Sequence, residues 1–315
     1  MEFALKEEKA LAAIGSFLAE NNYSFTAITP ATHAIVNARA MARTPRTLRD
    51  IFGWSRPFAP DELPPLLLAW LEEAGEMEKT LGLVRSKVRF STLAGSLYVH
   101  SAFPTMEADS VFFGPDTYRF ANLIERSIIA RPAGQVRRIL DLGCGSGAGG
   151  LFLAGKLQSQ GLQVFLSDIN QKALRYARVN AALAGRENVF VVRGDLTQAL
   201  KEQVDIIVSN PPYLVDAESR LYRDGGGISG CDLSIRIVRE SIPLLAPDGM
   251  LILYTGTPVV EGRHVFRDAV SPMLDVAGIG YEYTEIDPDV FGEELFHAAY
   301  GNTDRIAAVS LVVHG

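Results

Sequence analysis

The run Ile139-Leu140-Asp141-Leu142-Gly143-Cys144-Gly145-Ser146-Gly147 constrains the fold more than any other stretch of this 315-residue chain. An apolar strand leads straight into glycines on alternate positions, and a helical pattern follows Gly147. Glycine at such a turn lets the backbone bend tightly and approach a bound group with no Cβ in the way. The next strand ends in Leu166-Ser167-Asp168, and Asp168 falls 21 residues after Gly147. That is close to the spacing of about 20 at which a carboxylate accepts hydrogen bonds from ribose hydroxyls. The pair reads as an adenosine-binding half-site.

From Arg138 onward, strands and helices alternate. The pattern predicts strands over 138–142, 164–167, 188–193, 205–209, 250–254, 281–286 and 306–313, with helices over 147–158, 171–183 and 233–244. The early strands are unbroken apolar runs, as expected for an α/β fold whose parallel sheet is covered on both faces. Residues 1–109 read as a separate helical and hairpin domain, and 110–315 as the α/β domain, joined through the segment 109–135. In the first part, Leu5, Leu11, Ile14, Phe17 and Leu18 repeat at helical spacing. Thr44-Pro45 is a second helix start, and Asp61 precedes a third helix that stops near Gly75. Val88, Phe90 and Thr92 then alternate with polar residues, Ala94-Gly95-Ser96 turns, and Leu97 and Val99 resume the alternation. Three helices and a hairpin resemble a winged-helix module by element order.

The glycines alone admit two cofactors. Gly145, Gly147 and Gly150 match G-x-G-x-x-G, which suits a nicotinamide dinucleotide. Asp141 argues the other way, because a carboxylate two residues before the first glycine repels a pyrophosphate and attracts an ammonium. S-adenosyl-L-methionine carries an amino-acid tail with such a group and no phosphate. Here Asp141-Leu142-Gly143-Cys144-Gly145-Ser146-Gly147 resembles the D-L-G-x-G-x-G first motif of the class I methyltransferases, over about 115–315. The resemblance implies a Rossmann-like seven-stranded sheet with an antiparallel last strand. It also implies Asp141 near the methionine end and Gly143, Cys144, Gly145, Ser146 and Gly147 around the ligand. Asp168, with Ile169, would lie at the ribose, and Asp195, with Leu196, beside the adenine.

A second motif closes the strand over 205–209: Asn210-Pro211-Pro212-Tyr213. In isolation, Asn-Pro is a strand-ending turn. After the glycine motif it carries chemistry. An amide or exocyclic amine nitrogen is a poor nucleophile because its lone pair is delocalised, as in a peptide bond. The Asn210 side-chain oxygen can accept one N–H and the Pro211 carbonyl the other, which turns the lone pair toward a methyl donor. Pro211 and Pro212 stiffen the loop, and Tyr213 offers a planar wall. Asn210 therefore belongs to both the catalytic and the cofactor sets. The motif resembles that of amino-methyltransferases acting on glutamine side chains, adenine N6 or guanine N2. Downstream, Arg223-Asp224-Gly225-Gly226-Gly227-Ile228-Ser229-Gly230 resembles the A-L-x-G-G-x-x-G stretch of the protein-glutamine methyltransferases that modify translation release factors, with Arg223-Asp224 in place of Ala-Leu. Upstream, Val111-Phe112-Phe113-Gly114-Pro115-Asp116-Thr117 resembles their P-R-P-E-T segment, with the arginine absent.

The remaining residues restrict the partners. Lys and Arg number 30 against 37 Asp and Glu, a formal charge of −7, so the chain is no polybasic nucleic-acid coat. Arg39, Arg43, Arg46, Arg49 and Arg56 crowd one region, but residues 1–110 carry two more acidic than basic groups. They read as a solvated face, with a phosphate-binding face as the alternative. The five histidines show no metal-ligand spacing, so no metal is expected. Cys144 and Cys231 are too few for a disulfide scaffold and suit a reducing, cytoplasmic setting. The longest apolar runs are far short of the roughly 20 residues that span a bilayer, and no membrane partner is expected. Three readings stand: an N-methyltransferase with a protein glutamine acceptor, the same enzyme acting on a base amino group of RNA or DNA, and a cofactor-binding regulator or NAD-dependent oxidoreductase without methyl transfer.

Overall fold

The computed structural model describes residues 5–39, 47–129, 136–157, 159, 161–216, 218 and 220–315. Thr44-Pro45, Arg43 and Arg46 lie outside them. Helix α1 (Lys6–Glu20) buries Leu11, Ile14 and Leu18, as its spacing requires. Helix α2 (Pro30–Asn37) begins at Thr29, whose hydroxyl accepts the Thr32 N–H at 3.2 Å. Thr29-Pro30 is the same start signal read at Thr44-Pro45. Helix α3 (Leu48–Phe52) starts where the Thr47 N–H donates to the Asp50 carboxylate at 2.9 Å. Helix α4 (Pro65–Glu73) buries Leu67 and Leu71. Two antiparallel hairpins follow where the sequence pattern predicts one: β1 (Met77–Thr80) with β2 (Leu83–Ser86), and β3 (Val88–Leu93) with β4 (Ser96–Ser101).

The connecting segment holds a helix, α5 (Pro115–Ile129), whose Phe120 and Ile124 are buried four residues apart. The α/β part then runs β5 (Arg138–Leu142), α6 (Ala148–Lys156), β6 (Gln163–Asp168), α7 (Gln171–Leu183), β7 (Val189–Arg193), β8 (Val204–Ser209), α8 (Asp232–Ser241), β9 (Leu245–Val260), β10 (Arg263–His264), α9 (Val265–Ala277), β11 (Tyr281–Asp287) and β12 (Arg305–His314). The sheet order is β11-β12-β9-β8-β5-β6-β7, with short β10 also paired to β9. Strand β12 is antiparallel to both its neighbours, whereas β5 through β9 pair in parallel. This is the seven-stranded sheet with a reversed last strand that the sequence implies. Chain order reverses between β5 and β8, so their carboxyl ends open the crevice where α/β sheets bind ligands.

Both sheet faces are buried. Ile139, Ile206 and Ile252 face one apolar cluster, and Leu140, Ile207 and Leu251 the other. A third cluster joins α1 and α4 to Ala173, Tyr176 and Val179 of α7. Polar contacts fix the same seam. Buried Asn180 on α7 accepts the Val99 N–H at 2.7 Å and donates to the Val99 and Ser146 carbonyls at 3.0 and 2.8 Å. Leaving those buried groups unpaired would cost about 1–3 kcal/mol each. The first part is thereby tied to the turn after β5. No helix among the described residues is long and apolar enough to cross a membrane.

Candidate active site

The turn after β5 is built around Asp168. Its Oδ2 accepts the Gly145 N–H at 2.8 Å, and its Oδ1 accepts the Asn170 N–H at 2.8 Å. Gly145 takes φ +52°, a conformation that a residue with a Cβ adopts only with strain. Asp168 thus holds the glycine loop through its own carboxylate. Asp141, 2% exposed at the end of β5, accepts the Gly150 N–H at 2.7 Å. Burial, reinforced by the Asp168 charge and opposed by the Gly150 N–H, pushes its carboxyl up to about 7. Burial also pushes Asp168 up, against its backbone donors. The Cys144 thiol is driven well up by burial and by the two aspartates, which leaves it a packed side chain rather than a nucleophile.

The second strand end carries the Asn210-Pro211-Pro212-Tyr213 loop. The Ser209 hydroxyl donates to the Leu142 carbonyl at 2.7 Å, locking the ends of β8 and β5 together. Asn210 and Pro212 are half-buried, and Pro211 and Tyr213 are buried. The glycine-rich stretch downstream lies directly against this loop: Leu214 donates to the Arg223 carbonyl at 3.1 Å, and Gly225 donates to the Leu214 carbonyl at 2.8 Å. The resemblance located that stretch, and the structure supplies its task, which is to brace Tyr213-Leu214 from outside.

Every predicted site residue except Gly147 lines one cavity. Gly147 sits behind it as the N-cap of α6. Asp195 lines the cavity but is already gripped by Arg236 through two 2.9 Å contacts, so its carboxylate is oriented from α8. Ile169 is 48% exposed at the rim and Leu196 is buried. Sequence reasoning missed Asp116, Phe112, Tyr222 and Phe291, which line the same cavity. The rings of Phe112 and Tyr222 lie parallel within 9°, with centroids 6.1 Å apart. Phe112 and Asp116 sit in the segment quoted above, so the signal was present although neither residue is among the predicted site residues. The lining sets buried Asp141 and half-buried Asp168 beside an open glycine turn. This donor set fits a cationic, phosphate-free adenosine ligand, and a pyrophosphate would meet two like charges.

The model of the methyltransferase small domain matches residues 125–258. A release factor glutamine methyltransferase of Rhodospirillum rubrum is 34% identical over 238 residues, covering 71% of this chain and 68% of that protein. Another, of Borreliella burgdorferi, is 26% identical over 197 residues, covering 58% of this chain and 64% of that protein. A tRNA1(Val) (adenine(37)-N6)-methyltransferase of Aeromonas hydrophila is 34% identical over 137 residues, covering 41% of this chain and 56% of that protein. The chain spans less than two thirds of the length of these last two relatives.

Proposed function

Because the chain belongs to the class I methyltransferase family that includes the release factor glutamine methyltransferases, we propose that it is an S-adenosylmethionine-dependent N-methyltransferase whose acceptor is the side-chain amide of a protein glutamine. One observation carries this: the Asn210-Pro211-Pro212-Tyr213 loop and the Asp168-braced glycine turn open into a single cavity. When bound, S-adenosylmethionine supplies an electrophilic methyl group on a sulfonium. Asp141 would hold its ammonium end and Asp168, with Ile169 beside it, its ribose, with Asp195 and Leu196 toward the adenine. The Asn210 side-chain oxygen and the Pro211 carbonyl accept the two amide hydrogens, so the nitrogen lone pair points at the reacting carbon and its developing charge is stabilised. No strong base is needed, since the proton leaves after transfer.

Charge favours a protein over a nucleic acid. Four basic side chains around the cavity face carboxylates: Arg220 and Arg223 meet Asp216, Arg236 meets Asp195 and Glu240, and Lys172 meets Glu107 and Asp109. Phosphate binding draws on cations free to replace counterions. Residues 1–109, whose described part packs on α7, are the segment we assign to acceptor recognition. The A. hydrophila relative favours a second reading, an adenine amino group in RNA, for which the same loop geometry serves. Labelled cofactor incubated with cell extract separates the two. We expect label that survives nuclease and is lost to protease; the opposite pattern selects the nucleic acid, and no transfer to either refutes the reading.

The Asp141 carboxyl adds a pH test. A cationic ligand prefers the ionised form, so affinity for S-adenosylmethionine should rise as pH passes through about 7. Calorimetry at pH 6 and pH 8 should differ by about tenfold, with the tighter binding at pH 8. For stability the sign is opposite. The ligand-free native state keeps a proton that the unfolded chain loses near pH 4, so this group costs stability progressively as pH climbs from about 4 to about 7. Equal affinity at both pH values would remove Asp141 from the ammonium site.

A further inference from the structure

Three donors converge on one buried carboxylate beside the acceptor loop. Asp116, in the first turn of α5, is 4% exposed. Its Oδ2 accepts the Tyr213 hydroxyl at 2.6 Å. Its Oδ1 accepts the Tyr254 hydroxyl at 2.8 Å and Arg119 Nη1 at 2.9 Å. Arg119 Nη2 donates onward to Asp287 Oδ2 at 2.9 Å. Asp116 thereby joins α5, the loop after β8 and strand β9, and Arg119 extends the cluster to the end of β11.

The consequence for Tyr213 is specific. Its proton is committed to Asp116, so the hydroxyl is spent on anchoring and the ring is what faces the cavity. The ring sits edge-on to Tyr254 and Phe291, with centroids 6.5 and 6.0 Å away. On a third side lies Gly256 of β9, where an added Cβ would come within 2.2 Å of the ring. Short charge-assisted O–H···O⁻ contacts are about twice as strong as neutral ones, and a buried carboxylate is tolerated only when its acceptor sites are used. The ring plane of Tyr213 is therefore set by α5 and β9, two elements outside the acceptor loop.

We propose that Asp116 is a positioning residue for methyl transfer: by holding the Tyr213 hydroxyl it fixes the aromatic wall of the acceptor pocket, and with it the aim of Asn210 and Pro211. This rests on the reading of the loop as a methyl-acceptor site. A purely structural clasp would lower the melting temperature and leave the folded enzyme's rate intact. Positioning lowers the rate of the folded enzyme.

The test uses the full chain, labelled S-adenosylmethionine and the protein fraction of a cell extract as acceptor. Asp116→Asn and Tyr213→Phe should each slow transfer at saturating cofactor by roughly 10- to 100-fold, with the cofactor dissociation constant moving less than about threefold. The double variant should be no slower than the worse single variant, because both changes break the same Asp116–Tyr213 contact, and Asp116→Glu should regain part of the rate. Wild-type rates in Asp116→Asn, or losses that multiply in the double variant, overturn the proposal and leave methyl transfer standing. Absence of transfer by the wild type to protein or RNA overturns both. Should Asp116→Asn fail to fold, Tyr213→Phe and Tyr254→Phe, which bury no new charge, take its place, and wild-type rates in both overturn the proposal.

Discussion

Replacing Asn210 with alanine should lower the rate of methyl transfer by roughly 10²- to 10³-fold, about 3 to 4 kcal/mol of transition-state stabilisation. The size follows from what the residue offers. In the ground state the acceptor amide is planar and its nitrogen lone pair is shared with the carbonyl. Transfer requires that lone pair to localise, and the nitrogen gains positive character as the carbon approaches. A fixed oxygen on each N–H favours that changed state over the resting one, which is the condition for catalysis rather than mere binding. Alanine removes one of the two acceptors, and the cavity wall around it is held by other contacts. The Ser209 hydroxyl stays on the Leu142 carbonyl, and Leu214 stays paired with Arg223 and Gly225. The loop should keep its place, and the cofactor's dissociation constant should change by less than about fivefold, since that affinity is assigned to Asp168 and the glycine turn. Single-turnover transfer beside calorimetry measures the two quantities. Full turnover in Asn210→Ala, or equal losses of binding and rate, contradicts the role assigned to the loop.

What could be read from the sequence was what the chain encodes locally. The glycine turn, Asp168 and the Asn210-Pro211-Pro212-Tyr213 loop are short stretches whose conformational and chemical demands lie in adjacent residues. Their gathering into one cavity follows from strands that share a parallel sheet. Helix α9 carries the same kind of local signal, with Phe266, Val270 and Leu274 buried four residues apart, yet the predicted alternation has no helix there. The β1–β2 hairpin carries none, because Glu78 and Lys79 are exposed and leave no apolar alternation to detect. Strand β9 runs 16 residues, far beyond 250–254, because pairing with β8 on one side and β12 on the other keeps its backbone bonded. The Asp116 cluster was out of reach for a different reason. Its partners Tyr213 and Tyr254 lie 97 and 138 residues away, and nothing at Asp116 names them. The same holds for Asp195, which sequence reasoning placed beside an adenine without the arginine, 41 residues on, that orients it.

Asp168→Ala should separate binding from chemistry in the opposite sense to Asn210. The carboxylate does two things at once: it closes the glycine turn through the Gly145 and Asn170 N–H groups, and it presents its remaining lone pairs to the cavity. Alanine leaves two backbone donors without their partner, at about 1–3 kcal/mol each where they are buried, and removes the acceptor proposed for the ribose. Together these predict a loss of roughly 10²-fold or more in S-adenosylmethionine affinity, with the rate at saturating cofactor falling far less. Asp168→Asn refines the test. The amide oxygen can still hold one N–H, so affinity should fall less than in the alanine variant. Neutralising the side chain also removes the like charge that helps raise the neighbouring carboxyl. The pH midpoint for cofactor binding, expected near 7 in the wild type, should therefore move downward in Asp168→Asn. A midpoint that stays put would mean that burial alone sets the Asp141 carboxyl. Unaltered affinity in Asp168→Ala would mean that the glycine turn keeps its shape, and the ligand its grip, without the carboxylate at all.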